Sequence, residues 1–213
     1  MPFASSFPCS RREVLAGALS LVVAPTALAA RRPPVVTILG DSITAGYGLH
    51  AAEAVPAQLQ AALARLGVDA TVRAAGVSGD TTAGGLARVD FSVQPDTALC
   101  VVALGGNDLL QGLPPERMRA NLTAIVRRLK ARRIRVLLCG LHAPASLNAR
   151  YARDYNAVFA AVARSERVGL YPDLLAGVEL NRTLNQGDGL HPNPRGVRII
   201  AQRLAPYVVR ALR

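Results

Sequence analysis

The chain has 213 residues, of which 51% are hydrophobic and 18% charged. That length and apolar content fit one domain able to bury a sizeable core without a metal or disulfide staple, and they exclude disordered and low-complexity chains. The formal net charge of +11 raises nucleic acid as a partner, yet Lys130 is the only lysine, the arginines are scattered and aromatics are only 4%; no nucleic acid is expected, and a weak attraction to anionic surfaces is the milder implication.

The first thirty residues read as an address rather than a fold. Ser10-Arg11-Arg12 opens an apolar run from Val14 to Ala30 that is broken by Pro25 and closes on Ala27-Leu28-Ala29. A charged start, an apolar middle and an A-x-A end describe a secretory signal, and the paired arginines resemble a twin-arginine export signal. Residues 1–29 are therefore expected to be an export signal, cleaved near Ala29-Ala30. Residues 30–213 form the functional domain, and the product is periplasmic or secreted. Elsewhere no apolar run is long enough to span a bilayer. Cleavage removes Cys9 and leaves Cys100 and Cys139, each inside an apolar run that reads as a central strand. They could pair in an exported chain, but buried strand cysteines behave as small apolar residues, so free thiols are favoured.

In the mature chain, Val35 to Leu39 is a short apolar strand and Ala54 to Leu66 a helix ended by Gly67. Val68 to Ala74 can be a second strand, and Thr81 to Val89 a short helix capped near Asp80 or Thr81. Ala98 to Leu104 is a continuous apolar strand, Pro114 to Arg132 a long basic helix expected to present a solvated face, and Ile134 to Leu141 another buried strand. Tyr151 to Ser165 is a helix, Val168 to Tyr171 a short fifth strand, and Pro194 to Leu212 the closing helix. Strands that are apolar throughout and alternate with helices imply a parallel sheet covered on both faces. With right-handed crossovers, the expected fold class is α/β, a three-layer α/β/α sandwich on a five-stranded parallel sheet. Sites in such sheets form beyond the carboxyl ends of the strands.

The informative residues follow strands. Strand one ends in Gly40-Asp41-Ser42, strand two in Gly76-Val77-Ser78-Gly79-Asp80, and strand three in Gly105-Gly106-Asn107-Asp108; Asp188-Gly189-Leu190-His191 stands near the C-terminus. Each block alone reads equally as a helix cap, a turn or a hydrogen-bonded corner. Together they meet the needs of acyl transfer. A serine hydroxyl needs a base to take its proton, the base needs a carboxylate to hold its tautomer, and the oxyanion needs preorganised donors. Ser42, the Gly79 turn, Asn107 and the Asp188/His191 pair fill that list. The phosphate-binding Walker pattern, the dinucleotide Gly-x-Gly-x-x-Gly and the Gly-x-Ser-x-Gly elbow are all absent. No C-x-x-C occurs and His50, His142 and His191 lie far apart, so no metal site has local support.

These four blocks, in this order, resemble the GDSL lipases, also called SGNH hydrolases, over essentially the whole mature chain. Ser78-Gly79-Asp80-Thr81, Gly84-Gly85-Leu86-Ala87-Arg88 and Leu104-Gly105-Gly106-Asn107-Asp108 look most like the small periplasmic arylesterase, thioesterase and lysophospholipase group. The resemblance implies a flavodoxin-like α/β/α fold and a serine esterase with no cofactor and no metal. It implies Ser42 as nucleophile, His191 as general base and Asp188 as its orienter. It also implies an oxyanion hole from the Ser42 N–H, the Gly79 N–H and the Asn107 amide. The chain departs from the group after strand four, at Leu141 to Arg150, where a loop can help wall the substrate pocket. His142 in that loop reads as a surface residue, and His50 carries less signal still. Asp41 reads as structural, fixing the turn by backbone hydrogen bonds, and Asp80 and Asp108 as turn-holding carboxylates. Leu109 and Leu110 are candidate substrate-binding residues, with a helix-entry staple as the equal alternative. The expected partner is a small-molecule ester or lipid-like substrate, and the expected state a monomer. The sequence leaves open acyl length, leaving group, and ester against thioester. A carbohydrate O-deacetylase of the same fold, or a non-catalytic binding module, are the alternative readings.

Overall fold

The computed structural model describes Phe3 and residues 32–144 and 146–213; the expected export signal lies outside the described residues. Five strands form one all-parallel sheet: β1 (Val35–Gly40), β2 (Thr71–Gly76), β3 (Thr97–Ala103), β4 (Arg135–Cys139) and β5 (Gly169–Tyr171). Their spatial order is β2-β1-β3-β4-β5. The chain runs outward from β1 to β2, then restarts at β3 on the other side of β1. That reversal opens a crevice beyond the carboxyl ends of β1 and β3, where ligand sites form in open α/β sheets.

Five long helices cover the sheet: α2 (Val55–Arg65), α3 (Thr82–Ser92), α5 (Pro115–Ala131), α6 (Ala149–Glu166) and α7 (Pro194–Leu212). One layer packs α2 against α7, and the other packs α5 between α3 and α6. Two short helices, α1 (Ser42–Ala45) and α4 (Gly106–Leu110), begin directly after β1 and β3. The central strands β1, β3 and β4 are buried almost throughout, as their unbroken apolar sequence requires; edge strand β2 is half-exposed.

Three strands, β2, β4 and β5, start later than the apolar runs suggest, because the preceding helices use those residues in their stops. After α2, the Gly67 N–H donates to Ala64 C=O and the Val68 N–H to Leu63 C=O, both at 3.0 Å. This is the Schellman arrangement, with Gly67 at φ +74°. Val68 therefore belongs to the helix end, and β2 begins at Thr71. Ile134 is consumed in the same way, through its N–H to Leu129 C=O at 3.0 Å, so β4 begins at Arg135.

Cys100 and Cys139 are free and buried, and burial pushes the Cys100 thiol up to about 12. Cys100 faces Val136 across the β3–β4 pair, three residues before Cys139. At about 3.3 Å per residue, that offset exceeds the reach of a disulfide. The basic face of α5 is solvated, as its sequence suggests, with Arg127, Arg128 and Lys130 exposed, and it is also paired. Arg127 pairs with Glu166 at 2.9 Å, Arg128 with Asp90 at 3.3 Å, and Lys130 donates to the Glu166 carbonyl at 2.6 Å.

Candidate active site

Asp41 caps α1: its Oδ1 accepts from the Ile43 N–H at 3.1 Å, and its carbonyl accepts from Ala45 N–H and the Thr44 hydroxyl. This turn places Ser42 on the first helical residue, half-buried, at the crevice. The turn folds back tightly onto the strand ends. A Cβ at Gly76 would lie 2.5 Å from the Ala45 nitrogen and 2.9 Å from the Asp41 carbonyl. Asp41 is itself buried, and burial raises its carboxyl to about 6, against the lowering effect of the Ile43 hydrogen bond and of His191.

From the other side, the loop before α7 brings in Asp188 and His191. Asp188 Oδ1 accepts from the backbone N–H groups of Leu190 and His191 at 2.9 and 3.0 Å. Its Oδ2 meets His191 Nδ1 at 2.6 Å, and His191 Nε2 lies 2.9 Å from Ser42 Oγ. The three side chains, from residues 149 positions apart, thus form one hydrogen-bonded line. The His191 bond, followed by the two backbone bonds, holds Asp188 down at about 2. An ionised carboxylate can only accept, so Nδ1 carries the ring proton and Nε2 is left as acceptor for the Ser42 hydroxyl.

The third strand supplies Asn107, half-buried on α4. Its amide Nδ2 donates to the Asp80 carbonyl at 2.9 Å. Gly79 precedes Asp80 in a turn closed by Asp80 N–H to Val77 C=O at 3.1 Å, with Gly79 at φ +83°. The Ser42 and Gly79 N–H groups make no hydrogen bond among the described residues, and the second Asn107 amide hydrogen remains available. Of the expected site residues, Ser42, Asn107, Asp188 and His191 are brought together directly, and Gly79 joins them through its neighbour.

A pocket of about 380 Å³ opens from Ser42, Asn107 and His191. Its far wall is apolar, built from Leu109, Leu110, Leu141, Leu147, Leu175 and Leu190. Leu109 both lines the pocket and packs on the core, while Leu110 lines it and is 62% exposed. His142 also lines the pocket, with Nδ1 3.5 Å from Asp173. It is a wall residue, away from the hydrogen-bonded line. Among the described residues no cluster of three or more His, Cys, Asp or Glu side chains could hold a metal ion.

Comparison with known proteins places this geometry. Residues 38–199 match the GDSL-like lipase/acylhydrolase family. The chain belongs to that family. It is 38% identical to esterase TesA of Pseudomonas aeruginosa over 183 residues, covering 85% of this chain and 90% of that protein. It is 35% identical to "thioesterase 1/protease 1/lysophospholipase L1" of Escherichia coli over 169 residues, covering 79% of this chain and 80% of that protein. The crystal structure of AlinE4, an SGNH-hydrolase family esterase, superposes with a TM-score of 0.71 at 41% identity, covering 86% of this chain and 98% of that one. Family membership makes the chain an acyl hydrolase, and its sandwich is that of the SGNH-hydrolase structures.

Within this family member, three residues support the site without a signal strong enough to single them out from sequence. The Gln186 side-chain amide donates to the Tyr47 carbonyl at 2.8 Å and to the Pro192 carbonyl at 3.1 Å, lacing the His191 loop to the Ser42 loop. The Tyr47 ring lies 4.7 Å from the His191 ring. Arg88 reaches the ends of two strands. Asp108, expected to hold its own turn, instead clasps the start of α3, accepting from Thr82 N–H at 2.8 Å and Thr82 Oγ1 at 2.5 Å.

Proposed function

We propose that the chain is an exported, monomeric serine esterase that cleaves carboxylic esters or thioesters through an acyl-enzyme. The observation that carries this reading is the unbroken line from Ser42 Oγ through His191 to Asp188. Ser42 Oγ attacks the carbonyl carbon while His191 Nε2 takes its proton. The imidazolium is stabilised by Asp188, already ionised. The carbonyl oxygen gains the electron pair and is met by the Ser42 N–H, the Gly79 N–H and the free Asn107 amide hydrogen. As the tetrahedral adduct collapses, His191 gives its proton to the departing alcohol or thiol. Water then enters, loses a proton to His191 and releases the acid by the same path in reverse.

The pocket supports an apolar acyl or aryl group over a sugar. Its lining is mainly apolar surface, with seven leucines beside the polar Asp41, His142 and Glu179, whereas a sugar site needs several convergent polar groups to replace the hydration of hydroxyls. Leu110, Leu147, Leu180 and Leu190 line it while remaining 42–81% exposed, which suits an amphiphilic, lipid-like substrate entering from the solvent side. The test is a panel of p-nitrophenyl esters of increasing chain length, with an acyl thioester and an acetylated sugar alongside. We expect hydrolysis of the aryl esters and the thioester, abolished in Ser42→Ala. Preference for the acetylated sugar would favour the deacetylase reading; a folded chain inert toward the whole panel would favour a binding module. Export is read from N-terminal sequencing of the secreted product, which should begin at Ala30 or a neighbour; a full-length cytoplasmic product would refute it.

A further inference from the structure

We infer that Arg88 is a positioning residue for the oxyanion donors, fixing the Gly79 turn and, through Asp80, the Asn107 amide; the inference rests on the serine-esterase reading. Arg88 stands on α3 and its side chain is 18% exposed. Its Nε donates to Asp80 Oδ2 at 2.6 Å, its Nη1 to the Ala75 carbonyl at 2.8 Å, and its Nη2 to the Gly40 carbonyl at 2.8 Å. Gly40 ends β1, two residues before Ser42. Ala75 lies in β2, four residues before Gly79. Asp80 follows Gly79, and its carbonyl receives the Asn107 amide at 2.9 Å. One rigid guanidinium therefore touches, directly or through Asp80, every segment that carries a proposed oxyanion donor.

The arrangement is more specific than a stabilising ion pair needs to be. Buried pairs contribute little net stability once their desolvation is counted. What a guanidinium adds is a fixed planar fork that holds several acceptors in one relation, which a lysine ammonium cannot reproduce. The Gly40 carbonyl also accepts the Val77 N–H at 3.1 Å, so the start of the Gly79 turn and the Arg88 fork share one anchor. The carboxylate seat is built to fit: a Cβ at Gly84 would run into Asp80 Oδ1. A fourth Arg88 bond, to Ser92 Oγ at 3.2 Å, stays within α3 and touches none of the loops. Oxyanion donors act only when preorganised, and displacements of about 1 Å cost up to about 10²-fold in rate.

The test is a double-mutant cycle on a short aryl ester with wild type, Arg88→Met, Asn107→Ala and the double variant, each with Tm measured. We expect Arg88→Met to lower kcat roughly 10- to 100-fold with KM changed threefold or less. Affinity for a boronic acid that mimics the tetrahedral adduct should fall by the same factor. In the Asn107→Ala background the Arg88→Met loss should shrink by about threefold or more, because one of the donors it positions is gone while the Gly79 N–H remains. Ser92→Ala should leave kcat unchanged. A full multiplicative loss in the double variant, or a lowered Tm with kcat intact, would overturn the inference. Should Arg88→Met fail to fold, Asp80→Asn, which keeps the shape and the carbonyl, is read against Asn107→Ala by the same criteria. Wild-type kcat in Asn107→Ala alone would instead sink the oxyanion assignment, and this inference with it.

Discussion

Replacing Asp188 by asparagine preserves volume and shape yet should cost more than most truncations. Oδ1 of Asp188 already accepts two backbone N–H groups, from Leu190 and His191. An amide at this position must keep its oxygen there, since its NH₂ cannot accept those bonds. The NH₂ is then turned to His191 Nδ1, 2.6 Å away in the parent. Nδ1 is forced to accept, the ring proton moves to Nε2, and Nε2 can no longer take the proton of Ser42. The expected loss in kcat is about 10⁴-fold, the scale set by a wrong-tautomer histidine, or about 5.5 kcal/mol of barrier. Asp188→Ala, which leaves the tautomer free but the ring unheld, should be no worse than Asp188→Asn. The assay is kcat on a short p-nitrophenyl ester, with circular dichroism and Tm to show an intact fold. Because Asp188 stays ionised down to about pH 2, the acid limb of the wild-type profile should not be its own titration. An Asp188→Asn enzyme within tenfold of wild type would refute the tautomer argument.

Two further outcomes concern stability and the thiols. Asp41 has a folded value of about 6 against its ordinary 3.8, raised by burial; the folded state holds the extra proton between those values, so stability falls as pH rises from about 4 to 6. Asp41→Asn, whose oxygen can still accept from Ile43, should stabilise the fold at pH 7 but not at pH 4, by on the order of 1–3 kcal/mol, read as a raised Tm at pH 7 alone; an equal change at both pH values would contradict this. Cys100 and Cys139 should stay unreactive toward a thiol reagent until the protein unfolds, since both are fully buried; reaction in the native state would show that the sheet opens.

Much of this was legible in the sequence because it rests on local chemistry. Apolar runs marked the strands, and Gly67 marked the stop of α2. The Gly40-Asp41-Ser42 corner and the Asp188/His191 spacing marked the hydrogen-bonded line. Element edges were misplaced where a helix end borrows the next residues, as Val68 and Ile134 show. The supporting residues were less legible because, unlike Ser42 and His191, whose pairing also spans 149 positions, their residue types are not ones that acyl transfer demands. Gln186 reaches Tyr47 across 139 positions, and Arg88 reaches Gly40 across 48. Nothing in the local pattern of either residue records such a contact. His142 was rightly set apart from the hydrogen-bonded line, but its place in the pocket wall emerges only when the loop after β4 is folded against Asp173.

The central claim is that Ser42, with His191 as base, is the attacking nucleophile, and covalent labelling tests it most directly. An organophosphonate that mimics an ester carbonyl should add one label per chain, at Ser42, with complete loss of ester hydrolysis. Ser42→Ala should fold, take no label and hydrolyse nothing; Ser78, exposed and without a hydrogen-bonded base among the described residues, should remain unlabelled in both. A label at Ser78, or hydrolysis undiminished in Ser42→Ala, would contradict the account.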